Sequence, residues 1–227
     1  YVDIDPDTFN MCPKDLERKI TKKTKAIQVV HMHGNPSDMV RIMEIANKHN
    51  IPVIEDNAQC VLGYIDGKLV GTFGDMASWS FENKKHLSAG EGGMVTTDNP
   101  EYATIIRKTG GLGYKILSAG QSLRQLLPKD FQNPHYKRHD ILGYNYRMNE
   151  VTAALALAQM ERAEFLVNRR CEVAKMYNEA FKDCTYIVPQ KVLPGHINTY
   201  WTYTVRYERD DWFDLYNEVK AAGGDGF

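Results

Sequence analysis

The chain has 227 residues, of which 43% are hydrophobic and 25% are charged, and its formal net charge at pH 7 is −1. This near-neutral charge excludes the electrostatic attraction on which binding to nucleic acid or to an anionic membrane surface depends. The longest apolar runs fall short of the ~20 residues of a membrane-spanning helix, and the four cysteines show neither a CxxC motif nor regular spacing. We therefore expect a cytoplasmic globular protein with reduced thiols.

Helical and strand-like patterns alternate in the first part of the chain. Apolar residues at helical spacing predict helices over residues 14–21 and 37–49, with Ser37 as the N-cap of the second helix. Short apolar runs predict three strands, within residues 25–34, 51–56 and 76–81. Strands that alternate with helices in this way indicate an α/β fold with a largely parallel sheet.

A helix and a long connection follow these strands. The helix is expected to begin after Asn99-Pro100 and to end at Gly110. Residues 111–140 are polar and irregular, and a connection of this length inside a compact domain is usually functional or mobile.

The last part of the chain indicates a second, smaller unit. Residues 149–184 contain no Gly or Pro, which predicts one long helix or two abutting helices. The alternating residues 197–208 predict a strand, and residues 211–224 predict a helix with Gly at its C-terminal end. We therefore predict a large α/β domain over residues 1–165 and the start of a smaller α+β domain over residues 166–227.

Both ends of the chain suggest a piece of a longer protein. The first residue is Tyr1 rather than Met, and the chain opens directly on strand-like residues. Its last residues, AAGGDGF, come just after a helix and its glycine stop signal. We therefore expect the N-terminal part of the large domain and most of the small domain to be missing.

Polar residues follow each of the three predicted strands. The segments are HMHG (31–34), EDNAQ (55–59) and SFENKK (80–85). In open α/β sheets, ligands bind outside the carboxyl ends of the strands, so these segments are expected to converge. Together they offer a carboxylate, an amide, a hydroxyl and a lysine.

Pyridoxal 5′-phosphate (PLP) requires these groups. A carboxylate keeps its pyridinium nitrogen protonated, so that the ring can accept electrons. A lysine forms a Schiff base with the cofactor and moves a proton during the reaction. Hydroxyl and backbone N–H groups bind the phosphate.

Ordered motifs through the chain resemble those of the DegT/DnrJ/EryC1/StrS aminotransferases. They include GNPSDMVRIMEIANKHNIPVIEDNAQCVLG from residue 34, GTFGDMASWSFENKKHLSAGEGGMVTTD from residue 71 and ILGYNYRMNEVTAALALAQMERAEFLVNRR from residue 141. The resemblance implies the fold of aspartate aminotransferase (fold type I), PLP as cofactor, and amination of nucleotide-linked keto-sugars.

The resemblance implies three cofactor-binding residues by position. Asp56 falls on the family's carboxylate that faces the pyridinium nitrogen. Gln59 falls on the glutamine that lies near the ring and its O3′ oxygen, and Ser80 falls on the serine that binds the phosphate.

The resemblance also distinguishes two adjacent lysines. The family's Schiff-base lysine is the fifth residue after the phosphate-binding serine, which is Lys85 and not Lys84. A subgroup of the family carries histidine in place of this lysine and dehydrates sugars, and here Lys85 is followed by His86. The offset from Ser80 places lysine at the key position, which favours transamination.

Asn145 implies an active site that is shared between subunits. It falls on the asparagine of the family's GYNYR motif, which reaches the phosphate of the PLP bound by the neighbouring subunit. An arrangement of this kind requires at least a homodimer with two-fold symmetry.

Taken singly, these residues have ordinary structural explanations. Asp56 is typical of a helix N-cap or a loop carboxylate, and Lys84 and Lys85 are typical of a solvated surface. His31 and His33 could bind a metal from one face of a strand, but no third ligand stands at a suitable spacing, so no metal site is predicted. Agreement of several positions with one ordered pattern favours the functional interpretation.

We therefore predict a PLP-dependent aminotransferase that moves an amino group from L-glutamate to a nucleotide-linked keto-deoxysugar, in polysaccharide or antibiotic sugar biosynthesis. Lys85 and Asp56 would be the catalytic residues. Two alternatives stay open: a PLP-dependent sugar dehydratase or isomerase, and a non-catalytic regulatory protein of the same fold. The connection over residues 111–140 is either a cover for the sugar nucleotide or a mobile surface insert.

Overall fold

The structure is a computed structural model that describes residues 1–120, 129 and 132–224. The helices in this range are α1 (Pro13–Lys19), α2 (Met39–His49), α3 (Pro100–Gly110), α4 (Glu150–Met160), α5 (Ala163–Phe181) and α6 (Trp212–Ala221). The strands are β1 (Ile27–Val30), β2 (Val53–Asp56), β3 (Tyr64–Ile65), β4 (Lys68–Leu69), β5 (Met76–Ser80), β6 (Gly93–Thr96), β7 (Ile187–Pro189), β8 (His196–Ile197) and β9 (Val205–Tyr207).

The main sheet has four strands in the order β1-β2-β5-β6. β1, β2 and β5 run parallel, and β6 pairs antiparallel with β5. Helix α2 lies in the connection between β1 and β2, because parallel neighbours need a crossover rather than a tight turn. The predicted α/β architecture, with a mostly parallel mixed sheet flanked by helices, is confirmed.

The larger hydrophobic core fixes the sheet against the first two helices. It contains Val29 and Val53 of neighbouring strands together with Ile42 of α2 and Leu16 of α1. Burying one such aliphatic side chain stabilises the fold by about 2 kcal/mol. The core therefore holds β1 and β2, and with them the residues at their carboxyl ends.

A second core lies under the turn that follows β5. Phe81 and Leu87, at the two ends of that turn, pack with Ala156 of α4 and Val167 of α5. The exposed fraction is 7% for Phe81 and 1% for Leu87. The segment that carries the two lysines is thus held from below by apolar contacts.

The N-cap of α2 is Asp38, so the prediction of Ser37 was wrong. The Asp38 side chain accepts a hydrogen bond from the Arg41 N–H at 3.1 Å. The hydroxyl of Ser37 is buried and donates to the carbonyl oxygen of Val30 at 2.9 Å. Ser37 therefore ties the start of the helix back to β1 instead of capping it.

The helical stretch at residues 149–184 is two helices rather than one. α4 ends at Met160 and α5 begins at Ala163, because Arg162 leaves the helical conformation at φ −111° and ψ 9°. The proposed division between residues 165 and 166 falls inside α5, and it remains a prediction.

The predicted strand over residues 197–208 is wrong as a single element. β8 ends at Ile197 and β9 begins only at Val205. The interruption contains Tyr200, whose φ of 50° is left-handed and cannot continue a strand.

The hairpin of β3 and β4 was not predicted from the sequence. The hairpin of β3 and β4 turns on Asp66 and Gly67, both with positive φ, and this Asp-Gly pair was an overlooked hairpin signal. Of the connection over residues 111–140, residues 121–128 and 130–131 lie outside the described residues. Over the range that the structure does describe, no helix is both long and apolar enough to cross a bilayer.

Candidate active site

The carboxyl edge of the sheet brings together Asp56 and Ser80. Asp56 is the last residue of β2 and pairs with Ser78 of β5. Ser80 lies two residues further along β5, which corresponds to about 7 Å. Side chains alternate along a strand, so Asp56, Ser78 and Ser80 share one face of the sheet.

Asp56 is half-buried and oriented by its own loop. Its Oδ1 accepts a hydrogen bond from the Ala58 N–H at 3.0 Å. Within the described part of the chain, no hydrogen bond reaches its other carboxylate oxygen. One oxygen thus fixes the side chain, and the second is available to a ligand.

Gln59 connects the loops that follow β1 and β2. Its Oε1 accepts a hydrogen bond from the His33 N–H at 2.7 Å. His33 has a left-handed φ of 62°, which bends the chain away from β1 and toward Gln59. The amide is therefore held at the edge that carries Asp56.

Ser80 keeps its hydroxyl proton free within the described residues. Its Oγ accepts a hydrogen bond from the Glu82 N–H at 3.3 Å, and the hydroxyl hydrogen can still be donated. A hydroxyl at a strand end with a free hydrogen is suited to bind an anionic oxygen.

The two adjacent lysines lie in different surroundings. Lys84 is exposed, whereas Lys85 is partly buried. The ammonium of Lys85 lies 4.3 Å from the centroid of the Trp201 ring. The turn itself is closed by a hydrogen bond of 3.0 Å from the Lys85 N–H to the carbonyl oxygen of Glu82.

His86 is buried directly behind Lys85, and its structural role is not apparent from the sequence. Its exposed fraction is 4%, and its Nε2 lies 2.9 Å from the carbonyl oxygen of Thr199. A carbonyl can only accept, so Nε2 carries the proton. Burial lowers the pKa of His86 to about 4, although the Thr199 carbonyl opposes the shift. His86 is therefore a neutral tether, and no local sequence signal reveals its partner 113 residues away.

The depressed pKa of His86 predicts a loss of stability in mild acid. The unfolded chain takes up the proton near pH 6.5, whereas the folded chain takes it up only near pH 4. The contribution to stability is thus present above pH 6.5 and decreases as the pH falls toward 4, by about 3 kcal/mol in total. We expect His86→Asn, which can still donate to Thr199, to show a smaller shift of the urea midpoint between these two pH values. Equal shifts in both proteins would contradict this.

A buried hydrogen-bonded pair, Glu55 and His31, lies on the opposite face of β2. Both side chains are fully buried, and His31 Nε2 donates to Glu55 Oε2 at 3.2 Å. His31 Nδ1 accepts from the Ser37 N–H at 3.0 Å, which assigns the ring proton to Nε2. His31 and His33 do not act as a pair, and within the described residues no group of three His, Cys, Asp or Glu side chains could hold a metal.

Glu55 also fastens the loop between β4 and β5. Its two oxygens accept three backbone N–H groups, from Gly71, Phe73 and Gly74, each at 2.7 Å. Burial raises the pKa of Glu55, but the hydrogen bonds from His31, Gly74 and Gly71 outweigh burial and lower the pKa. The alternation along β2, which puts Glu55 opposite Asp56, was the overlooked signal.

Asn145 lies in the segment between α3 and α4, outside the strands that carry Asp56 and Ser80. It is exposed, and its Oδ1 accepts from the side-chain Nε of Arg147 at 3.0 Å. Its backbone forms an isolated bridge with Gly111. Within the described residues, no hydrogen bond joins Asn145 to the other four predicted site residues.

A cleft of about 890 Å³ lies between β6 and α3. It is lined by Ser78, Val95 and Arg147, among others, but Asp56 and Lys85 do not line it. The cleft therefore lies along β5 and β6, and the lysine turn lies outside it.

The donor set at the sheet edge fits PLP chemically. Asp56 offers a free carboxylate oxygen, Ser80 a free hydroxyl hydrogen and Lys85 a partly buried amine. The carboxylate and the hydroxyl project from the same sheet face, on neighbouring strands. These are the groups that a pyridinium nitrogen, a phosphate and an aldehyde carbon require.

Comparison with known proteins identifies relatives over nearly the whole chain. Residues 1–223 match the model of the DegT/DnrJ/EryC1/StrS aminotransferase family. GDP-perosamine synthase of Escherichia coli O157:H7 is 37% identical over 205 residues, which make up 90% of this chain and 51% of that protein. The chain thus spans about half the length of the curated relatives it matches.

Solved structures with the same fold include an aminotransferase and a dehydratase. The aminotransferase TlmJ from Streptoalloteichus hindustanus has a TM-score of 0.86 and 28% identity, covering 98% of this chain and 57% of that one. The E. coli GDP-4-keto-6-deoxy-D-mannose-3-dehydratase with bound hydrated PLP has a TM-score of 0.86 and 25% identity, with the same coverage of 98% and 57%.

Proposed function

The chain belongs to the DegT/DnrJ/EryC1/StrS aminotransferase family, and we propose that the protein uses PLP to transfer an amino group from L-glutamate to a nucleotide-linked keto-deoxysugar. The family and the fold predicted from the sequence are confirmed. The observation that carries the proposal is the sheet edge of Asp56 and Ser80, with Lys85 on the turn that follows. The proposed setting is polysaccharide or antibiotic sugar biosynthesis in the cytoplasm.

Lys85 and Asp56 are the proposed catalytic residues. Lys85 would hold the cofactor through Nζ and would move a proton at the substrate carbon that bears nitrogen. Asp56 keeps a proton on the pyridinium nitrogen through its free carboxylate oxygen. PLP, when bound, supplies the electron sink for this chemistry.

Ser80 and Gln59 are the proposed binding residues. The free hydroxyl hydrogen of Ser80 donates to the phosphate, and the GEGG segment, residues 90–93, begins β6 beside it, because Ser80 pairs with Gly93. Gln59 lies close to the ring, where the His33 N–H keeps its amide in place.

We propose a homodimer in which Asn145 contributes to the site of the partner subunit. Asn145 stands on an exposed apolar surface that runs into α4, where the exposed fraction is 85% for Leu142, 72% for Val151 and 63% for Leu157. A helix that is apolar on several sides needs a covering partner. A second copy related by two-fold symmetry would cover this surface and complete the site.

We propose a large domain over residues 1–165 and the start of a small domain over residues 166–227, because separate sheets form in the two parts of the chain. The four-stranded sheet belongs to the first part, and the two-stranded sheet of β7 and β9 belongs to the second.

A PLP-dependent sugar dehydratase is the second candidate, since one structural relative is a dehydratase of this kind. In the dehydratase subgroup a histidine replaces the Schiff-base lysine. In this chain His86 is buried and committed to Thr199, whereas Lys85 is the more accessible of the two side chains. This difference favours the aminotransferase.

A single-turnover assay on the full-length, PLP-loaded protein tests the proposal. We expect L-glutamate to be converted to 2-oxoglutarate in an amount equal to the protein, with loss of the visible absorbance of the lysine-bound cofactor. Addition of the accepted keto-sugar, from a panel of GDP-, dTDP- and UDP-linked 4-keto-6-deoxysugars, should restore the absorbance and produce an amino sugar.

The rival functions give different results in the same assay. Loss of water from a sugar, without a gain of nitrogen, would identify a dehydratase. Bound PLP that reacts with neither glutamate nor any sugar would identify a non-catalytic protein and overturn the proposal.

A further inference from the structure

Residues 198–202, in the irregular segment between β8 and β9, cross the lysine turn. The Trp201 Nε1–H donates a hydrogen bond of 2.9 Å to the carbonyl oxygen of Lys84. The His86 Nε2–H donates one of 2.9 Å to the carbonyl oxygen of Thr199. Two bonds to the residues on either side of Lys85 therefore fix the position of this segment relative to the turn.

The indole ring of Trp201 faces the side chain between those two bonds. The Lys85 ammonium lies 4.3 Å from the ring centroid, within the range in which a cation is attracted to an aromatic face. Over residues 1–120 and 132–224, no carboxylate forms an ion pair with Lys85. The aromatic face is therefore the partner that this part of the structure gives to the ammonium.

The segment is also held from its far side, so the ring cannot easily move away. The Thr199 N–H donates to the carbonyl oxygen of Gly34 at 2.9 Å, and Arg170 donates to the carbonyl oxygen of Trp201 at 2.7 Å. Gly34 has a φ of 96°, and a Cβ there would lie 2.6 Å from the backbone nitrogens of Tyr200 and Trp201. Only glycine permits this approach, which locks the segment against the end of β1.

The contact between Lys68 and Phe73 is a second cation–aromatic pair, with which the pair of Lys85 and Trp201 can be compared. Lys68 lies 4.2 Å from the centroid of the Phe73 ring, but Lys68 is exposed. That ring makes no hydrogen bond to the turn that carries its cation. Trp201 differs because one indole group contacts both the backbone and the ammonium of the same turn.

We propose that Trp201 is the positioning residue of Lys85. Its ring holds the ammonium in one place beside the turn whenever the lysine is not attached to the cofactor, and its N–H fixes the ring relative to the turn. This inference rests on the proposed function, since it concerns the lysine to which PLP would bind. It assigns a role to the β8–β9 segment that the motif residues do not include.

Labelling of lysine amines in the full-length protein without PLP tests the proposal. An acylating reagent and peptide mass spectrometry would give separate rates for Lys84 and Lys85. In Trp201→Leu, which lacks the aromatic face, we expect the rate at Lys85 to rise about fivefold while other lysines are unchanged. In Trp201→Phe, which keeps an aromatic face but lacks the N–H, we expect a rise of about twofold or less. Trp212→Leu, on the exposed part of α6, is the matched control and should leave the rate unchanged.

An unchanged rate at Lys85 in Trp201→Leu would overturn the proposal. Equal increases in the Leu and Phe variants would also overturn it, because a purely structural role of the N–H would affect both. Adding PLP to the wild-type protein tests the proposed function separately. If PLP fails to protect Lys85 from the reagent, the proposed function is wrong, whatever the variants show.

Discussion

Lys85→Ala is expected to abolish covalent attachment of PLP to the full-length protein, whereas Lys84→Ala should leave attachment intact. The two amines are adjacent in sequence, but only Lys85 is partly buried, beside Trp201. Lys84 is exposed. The measurement is borohydride reduction followed by intact mass spectrometry, together with the visible absorbance of the bound cofactor.

The paired variant makes this a sharp test, because each change removes one lysine amine from the same turn. Loss of the adduct in both variants would indicate a general effect on the turn. An adduct that persists in Lys85→Ala would place the cofactor on another amine, and the assignment of the site would be wrong.

Glu55→Gln is expected to lower the free energy of unfolding by about 3–5 kcal/mol. The two oxygens of Glu55 accept N–H groups from His31, Gly71, Phe73 and Gly74. A glutamine has one oxygen and one NH2 group, so in either orientation two buried donors face a donor. Equilibrium unfolding in urea would measure the loss.

Glu44→Gln is the matched control, because this side chain is exposed and pairs with Arg41 at 2.8 Å. Exposed pairs of this kind contribute little, so the unfolding midpoint should not change. Equal midpoints for the two variants would show that Glu55 does not hold the loop.

Glu55→Gln should also change how the stability of the fold depends on pH in acid. The pKa of Glu55 in the folded protein lies below its ordinary value of 4.5. A carboxyl group with a lowered pKa stabilises the fold above the unfolded pKa, and this contribution is lost as the pH falls through the folded pKa. The wild-type protein should therefore lose stability below about pH 4.5 through this group, and Glu55→Gln should lack that part of the loss.

The three parallel strands of the main sheet were predictable from sequence because each carries its own local signal, whereas the antiparallel strand β6 was not predicted. Residues 27–30, 53–56 and 76–80 lie in short runs rich in apolar residues, and polar residues end or follow each run at the same edge of the sheet. The break in the strand predicted over residues 197–208 was not predictable. It depends on Tyr200 in a left-handed conformation, which its side chain disfavours and which surrounding contacts must impose.

The candidate site also contains residues that local sequence predicts and contacts that it does not predict. Asp56 and Ser80 follow from strand ends and parallel register, which are short-range features. The partners of His86 and Trp201 are separated from them by 113 and 117 residues. Contacts at that distance depend on how the whole chain folds, and no spacing rule encodes them. The choice between Ser37 and Asp38 as the N-cap failed for a simpler reason, since both side chains are able to cap.

The lysine turn and the Trp201 ring that contacts it are 117 residues apart in sequence, which has a consequence for synthesis of the chain. On the ribosome, residues 56–85 emerge long before residue 201, so the nascent chain exposes Asp56, Ser80 and Lys85 without the ring that faces the lysine. The hydrogen bond between His33 and Thr202 spans 169 residues and must wait equally long. The contact between the Lys85 amine and the Trp201 ring therefore forms only late in synthesis, after the strands of the main sheet have been made.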